Sequence, residues 1–254
     1  MATLTELSSK SHASLKVAPG VQIKHAEKQH VMHLQAAELA NAATSCPVFI
    51  SRNANTGAYA FSAMTSFEIN QNLFIQEGKW QGVFQPKSLR TFPLFLMQSK
   101  GENKGFTVGF DAESNNFSET EGTVLFEQDG TASQYLSEVT RMLESDISAI
   151  RQSYEFAKTL EEFGLLKEID IQVQYAAGTA NTIKGLMTIN EEALQSLSPE
   201  KLATLAKAGY LMPIHALLMS LFNLNVLVNK NNAIEGKAQV SAVKMEVSKE
   251  FTPA

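Results

Sequence analysis

Hydrophobic and polar residues alternate in short runs through the first half of the chain, and this spacing predicts β-strands. CPVFISR and GAYAFSAM flank a turn-rich Asn-Ala-Asn-Thr-Gly link, and NLFIQEGKWQGVF turns at Glu77 and Gly78. The run KGFTVGFDA alternates at Phe106, Val108 and Phe110. Because strand side chains point alternately to the two faces of a sheet, these runs predict half-buried strands joined by tight turns.

The apolar spacing becomes helical in the middle of the chain. The 33 residues from Thr131 to Phe163 contain neither Gly nor Pro. Thr131 and Gln134 form a capping-box pattern, and Gly164 ends the run. A helix of this length reaches about 50 Å, so it is expected to bend, to break in two or to pack against a partner.

Strand spacing returns once before the chain becomes helical to residue 228. Residues 169–175 alternate before a turn at Gly178, which predicts a β-hairpin. Asn190 and Ser198 suit the N-caps of two helices, and Gly209 suits the end of the second. Strands that come first and helices that come later predict the α+β class, with a strand-rich N-terminal half.

Composition changes along the chain and suggests three segments. Hydrophobic residues make up 44% of the chain and charged residues 19%, as in ordinary globular proteins. Residues 1–20 are polar and are predicted to be flexible. Residues 21–228 are predicted to form a single α+β domain, and residues 229–254 a polar C-terminal tail that is extended or disordered.

The stretch YLMPIHALLMSLFNLNVLV, residues 210–228, contains no Lys, Arg, Asp or Glu. A membrane-spanning helix needs about 20 mainly apolar residues, and this run is interrupted by His215, Asn223 and Asn225. No basic cluster flanks it to set an orientation. We therefore expect no membrane span but a core helix, buried nearly all round, with Pro213 in its first turn.

Charge and cysteine content narrow the class of function. The net charge is −5, which disfavours nucleic acid as a partner. The N-terminus lacks the apolar region of a secretion signal, so a cytoplasmic location is expected. The single cysteine, Cys46, forms no intrachain disulfide and is better interpreted as a small buried hydrophobe than as a nucleophile.

The histidines offer candidate metal ligands. His25, His30 and His33 lie within nine residues, and His215 lies in the apolar stretch. Two histidines and a carboxylate can hold iron, and histidine also binds zinc. The metal hypothesis pairs His30 with His215; the alternative is that these histidines are solvated or hydrogen-bonded for structural reasons.

His215 also has two non-metal interpretations. As a core histidine it needs a hydrogen-bond partner for each ring nitrogen. As a catalytic base it would face a pocket, supported by Glu38 and Arg90, which both lie beside apolar segments. The sequence contains no P-loop, no G-x-G-x-x-G, no G-x-S-x-G, no H-E-x-x-H and no C-x-x-C motif.

Aromatic residues are dense between residues 80 and 95. Trp80, Phe84 and Phe92 form a candidate ligand-binding cluster, with Phe95 close in sequence. An exposed aromatic cluster binds a peptide or ligand, whereas a buried one packs within a hydrophobic core.

The order of several segments resembles the bacterial SapC family. NLFIQEGKWQGVFQPKSLRTFPLFLM is similar to the family's segment with N-L-F, G-x-W and R-x-x-P-F elements. LFEQDGTASQYL and FAKTLEEFGLLKEIDIQV are similar to two further elements, and residues 185–227 resemble the C-terminal block, which includes His215, Ser220 and Asn223.

The resemblance implies a bacterial context rather than a reaction. The family name implies a link to surface-layer proteins, and relatives are often encoded beside TonB-dependent receptors, tryptophan-halogenase-like flavoproteins and cupin-like oxygenase relatives. These gene neighbours imply a role in nutrient uptake or in the modification of a peptide or protein.

Three hypotheses on function follow. The first is an accessory protein that binds a peptide or protein partner in a surface- or transport-related system. The second is a peptide- or protein-modifying enzyme that uses His215, such as a metal-dependent oxygenase with iron or zinc. The third is a structural homodimer built on the long helix, through residues such as Leu143 and Ile150.

Overall fold

A computed structural model describes residues 3–99 and 105–248. The strands are β1 Leu4–Glu6, β2 Lys16–Val17, β3 Val31–Leu34, β4 Val48–Arg52, β5 Tyr59–Met64, β6 Ile75–Gln76, β7 Lys79–Trp80, β8 Leu94–Gln98, β9 Phe106–Asp111, β10 Phe117–Ser118, β11 Thr123–Val124, β12 Leu166–Tyr175, β13 Ala180–Ile189 and β14 Val240–Val247. The helices are α1 Ser9–His12, α2 Val21–Ala26, α3 Leu39–Ala42, α4 Lys87–Thr91, α5 Gln134–Glu162, α6 Glu191–Gln195, α7 Pro199–Lys207, α8 Leu211–Ser220 and α9 Leu224–Asn232, with 3-10 turns at Ala36–Glu38 and Leu221–Asn223. Helices and antiparallel sheets together confirm the α+β class.

The described residues form two compact units. The first comprises residues up to Ala26 together with Lys87–Ile150, and the second comprises Glu27–Pro86 together with the chain from Arg151 onward. Helix α5 therefore belongs to the first unit through Ile150 and to the second from Arg151. The prediction of a single α+β domain over residues 21–228 stays a prediction; the two compact units carry no local sequence signal, because local spacing does not reveal which distant segments pack together.

The first unit contains two small sheets and its own hydrophobic core. One sheet has the order β1-β9-β8 and the other the order β10-β2-β11. Helix α5 contributes Leu136, Val139 and Leu143 to this core, beside Leu94 of β8 and Phe110 of β9. An ion pair between Lys87 Nζ and Asp146 Oδ1, 2.9 Å apart, joins α4 to α5 within the unit.

The second unit is built around a six-stranded sheet with the order β14-β12-β13-β4-β5-β3. The paired strands are antiparallel, and β4 meets β13 through a single residue pair, Ile50 with Met187. The ring of Phe156 on α5 stacks on Phe61 of β5, with centroids 5.5 Å apart. The C-terminal part of α5 therefore covers this region of the sheet.

The structure confirms the hairpins predicted at Glu77–Gly78 and at Gly178. Glu77 and Gly78 both have positive φ, 50° and 68°, as the tight turn between β6 and β7 requires. Strands β12 and β13 pair across the turn at Gly178, and Ile169, Ile171 and Val173 are buried as their alternation predicted.

The long helix is confirmed and is continuous from Gln134 to Glu162, so the alternative that it breaks in two is wrong. Its N-terminal cap was also predicted at the wrong residue. The Ser133 hydroxyl accepts a hydrogen bond from the Leu136 N–H at 3.2 Å, whereas Thr131 donates from its backbone N–H to Asp129 Oδ1 at 2.9 Å. Asp129 thus engages Thr131 in a local turn, and the helix begins at Gln134. Gly164, with φ 69°, ends it as predicted.

The homodimer hypothesis rests on residues with different environments. Leu143 is buried in the first unit's core, whereas Ile150 is 52% exposed. Of these two side chains, only that of Ile150 is exposed enough to contact a second copy of the chain. The homodimer therefore stays a prediction, and substitution of Ile150 is a better test of it than substitution of Leu143.

Both ends of the described chain are more ordered than composition suggested. Segment 3–20, predicted to be flexible, contributes β1, which pairs with β9, and buries Val17. The predicted polar tail contains β14, which pairs with β12 from Ile169 to Tyr175. Main-chain pairing supplies these contacts, and a polar composition does not reveal it.

Candidate functional site

Helix α8 is attached along one face to the start of β4. The buried Ser220 hydroxyl accepts a hydrogen bond from the Val48 N–H at 3.0 Å and lies 2.7 Å from the Leu217 carbonyl, to which it donates. The Asn223 side chain donates to the carbonyls of Ala43 at 2.7 Å and Cys46 at 3.2 Å. The Ser and Asn of the family-like pattern therefore fix the helix in place.

The opposite face of α8 is open, so the prediction that this helix is buried nearly all round is wrong. His215 is exposed, and Met212, Met219 and Phe222 are 70%, 66% and 75% exposed. Their spacing of three, four and three residues places them on one side of a helix. Ile214, Leu217 and Ser220 are buried on the other side. One-sided burial follows because α8 lies at the surface of the unit and contacts α3, β13 and β4.

The helical stretch Leu211–Asn232 is long and apolar enough to cross a membrane by length and composition, with a mean hydropathy of 1.8. One such helix is weak evidence, since core helices of soluble proteins pass the same test. The expectation of no membrane span stays a prediction.

Two adjoining cavities lie between α8 and β14. The larger, about 580 Å³, is lined by His215, Leu218, Phe222, Asn225, Val243 and Met245, among others. The smaller, about 250 Å³, is lined by Ile169, Thr188, Glu192, Leu218, Leu221 and Met245, among others. Both cavities also reach Glu191, the first residue of α6. We refer to the two cavities together with the exposed side of α8 as the α8–β14 groove.

The pairing of β14 with β12 places apolar side chains of β14 in this groove. Val247 pairs with Ile169 and Met245 pairs with Ile171. Directly paired residues share a face of a sheet, and so do residues two apart on one strand. Met245 and Val247, 41% and 57% exposed, therefore extend the apolar surface formed by α8.

Thr188 is a buried polar residue without a hydrogen-bond partner. It pairs with Lys167 on β12, and this register turns its side chain toward the face that carries Ile169. The residue is 3% exposed, and its hydroxyl oxygen makes no hydrogen bond to any described residue. A buried hydroxyl in this state costs free energy, so Thr188 is the most unusual polar group of the smaller cavity.

The three residues of the predicted catalytic site have different surroundings. His215 lines the larger cavity. Glu38 instead closes the 3-10 turn Ala36–Glu38, where its carboxylate accepts a hydrogen bond from the Gln35 N–H at 2.9 Å. Arg90 is an exposed residue of α4 in the other unit. Glu38 therefore has a structural role at a turn.

The predicted metal ligands do not line a common cavity among the described cavities. His30 directly precedes β3, at one edge of the six-stranded sheet, whereas His215 lies in a cavity with residues of β14, at the other edge. Within residues 3–99 and 105–248, no three His, Cys, Asp or Glu side chains are grouped to hold a metal ion.

The predicted aromatic cluster is divided between the units. The Trp80 Nε1–H donates to the Phe84 carbonyl at 2.9 Å, and its ring stacks on buried Phe74. Phe92 is buried in the first unit, where it stacks on His25 with centroids 3.9 Å apart. Desolvation by burial lowers the pKa of His25. These aromatic rings pack against hydrophobic cores.

Cys46 is a buried thiol, as its sequence context predicted. Burial raises its pKa to about 12, with the charge of Lys230 acting in the opposite direction. A thiol with this pKa is protonated at neutral pH and is a poor nucleophile.

The SapC family model matches residues 7–227, most of the chain, and the protein therefore belongs to the SapC family. No curated protein and no solved structure gives a significant match. Within the matched range, Ser220 and Asn223 hold α8 in place, and Thr188 and the exposed side of α8 form much of the groove.

Sequence reasoning missed most of the groove residues. Val243, Met245 and Val247 alternate with polar residues, a strand signal inside the segment predicted as a tail. Met212, Met219 and Phe222 are spaced along one helix face, but Ile214 and Leu217 are equally apolar. The sequence therefore did not distinguish the exposed side of α8 from the buried side, and no local signal marked Thr188.

Proposed function

We propose that the protein is an accessory protein that binds a peptide or protein partner through the α8–β14 groove. The observation that carries the proposal is the exposure of Met212, Met219 and Phe222 beside two apolar-lined cavities. Exposed apolar surface concentrated in one place marks interaction sites, and methionine suits surfaces that adapt to a partner.

The occupant we propose is an extended segment of the partner, added as a strand beside β14. Strand β14 ends the sheet order, and its C-terminal residues from Lys244 to Val247 are exposed. A strand that adds to a sheet edge gains main-chain hydrogen bonds, while its alternate side chains enter neighbouring pockets. Open edges are common, but here Met245 of the edge strand also lines both cavities.

The family membership supports a place for this binding in a bacterial surface- or transport-related system. The link to surface layers and to TonB-dependent receptors comes from the family resemblance alone. A catalytic role for His215 remains the alternative, supported only by its position in the larger cavity.

Selection from a displayed library of linear peptides tests the proposal. Phe222→Asp is expected to weaken binding of the selected peptides at least about ten-fold, because it places a charge in the apolar surface that the peptide covers. Labelled peptide, titrated with protein and followed by fluorescence anisotropy, measures the effect. The fold should persist, since Phe222 is 75% exposed.

Val83→Asp is the matched control. Val83 is an apolar residue of the same unit, is 95% exposed and lines neither cavity. This variant should bind selected peptides as the wild type does. A library that yields no binding peptide, or peptides that bind the Phe222→Asp variant with unchanged affinity, would overturn the proposed function.

A further inference from the structure

Strand β14 presents a row of main-chain hydrogen-bonding groups at the edge of the six-stranded sheet. The Ser248 N–H donates to the Glu168 carbonyl beside β12 at 3.1 Å, and the two strands keep this register along most of β14. Because bonding alternates along an antiparallel strand, every second residue of β14 bonds toward β12. The residues between them direct their N–H and C=O groups to the edge: Val243, Met245 and Val247.

Lys244 and Glu246 alternate with these apolar residues and are exposed on the other face of the sheet. On β12 they pair with Gln172 and Asp170, respectively. Glu246 accepts a hydrogen bond from the Gln172 side chain at 3.0 Å, but its directly paired residue, Asp170, has the same charge. Like charges directly opposite destabilise a sheet, so a cation on the other side of Glu246 would offset this repulsion.

The edge therefore favours one sequence pattern in an added antiparallel strand. That strand carries an apolar residue opposite each apolar residue of β14, a Lys opposite Glu246 and a Glu opposite Lys244. Read from its N-terminus, its sequence is apolar, Lys, apolar, Glu, apolar. Residues 243–247 of this chain, Val-Lys-Met-Glu-Val, have the same order.

We propose that the strand added beside β14 is β14 of a second copy of this chain. The inference rests on the strand addition of the proposed function and assigns its partner. The two-fold axis passes between the Met245 residues of the two copies, and Val243 of each copy pairs with Val247 of the other. Each of these pairs exchanges two main-chain hydrogen bonds, since both residues direct their groups to the edge.

The charges select this register among its neighbours. With the axis at Met245, Lys244 of each copy lies opposite Glu246 of the other. A shift of the axis by one residue places two lysines or two glutamates directly opposite each other, which is destabilising. In the register at Met245, the apolar residues of both β14 strands also lie on one face of a continuous sheet.

Charge reversal tests the inference in the full chain, by sedimentation equilibrium over a range of protein concentrations. The wild type is expected to dimerise. Lys244→Glu and Glu246→Lys are each expected to raise the dissociation constant of the dimer at least about ten-fold, because each places like charges opposite one another at both ends of the interface. Circular dichroism checks that both variants are folded.

A mixture of the two single variants is expected to recover the dimer, since each variant then meets its opposite charge in the other. A local defect in either variant would not be recovered by mixing. Glu155→Lys is the matched control, because Glu155 is exposed on α5 and the change in charge equals that of Glu246→Lys. This variant should dimerise as the wild type does.

Three results would overturn the inference: a wild type that is monomeric up to about 1 mM, a dimer of unchanged affinity in both single variants, or a mixture that stays monomeric. In each case the proposed function stands if peptides selected from the library bind the wild type and lose affinity in Phe222→Asp. If those peptides also fail, the strand addition is overturned together with its partner.

Discussion

Replacing Leu217 by Ala is expected to lower the free energy of unfolding of the second unit by about 2–5 kcal/mol, the usual cost of such a cavity. Leu217 is fully buried on the inner face of α8, within the core that contains Ile50 and Phe156. Trp80, the single tryptophan, lies in the same unit, so its fluorescence during urea denaturation reports on that unit.

His215→Ala is the paired variant, two positions earlier on the same helix. His215 is exposed, and a surface substitution of this kind changes stability by less than about 0.5 kcal/mol. The pair thus tests which side of α8 faces the core. A loss in His215→Ala as large as that in Leu217→Ala would restore the core histidine and contradict the exposed groove.

His215 and Leu217 also show which features of α8 the sequence could predict and which it could not. Pro213 in the first turn, Ser198 and Asn190 as N-caps and Gly209 at the end of α7 were all predicted correctly, because each signal acts within one helical turn. Which side of α8 is buried depends instead on the contact between Ser220 and Val48, which are 172 residues apart in the chain.

The strands show the same difference between local and distant information. The β12–β13 hairpin was predictable because a turn at Gly178 joins two alternating runs. The pairing of β14 with β12 was not, since more than 60 residues separate the two strands and three of the eight positions of β14 are Lys, Glu and Ser. Because β14 was not predicted as a strand, its residues that line the groove were absent from the predicted site.

The candidate site was predicted only at His215, and even there for a different environment. Residue type directed attention to histidines and aromatic rings, whose chemistry is visible in a sequence. Glu38, Trp80 and Phe92 proved to cap a turn or to pack a core. Thr188 carries no sequence signal, because a threonine in a strand is ordinary until the structure shows that its hydroxyl lacks a partner.

Thr188→Val is expected to raise the free energy of unfolding of the unliganded protein by about 1–3 kcal/mol. The wild type buries a hydroxyl that has lost its hydrogen bonds to water, and the valine side chain removes that cost while it keeps nearly the same shape. Urea denaturation followed by Trp80 fluorescence measures the gain.

Ser220→Ala is the companion variant, with the opposite sign. Ser220 is also fully buried, but its hydroxyl accepts a hydrogen bond from the Val48 N–H. Removal of this oxygen leaves a buried amide without a partner and is expected to cost about 1–3 kcal/mol. A destabilised Thr188→Val protein would contradict this account and would mean that the Thr188 hydroxyl contributes to the stability of the fold.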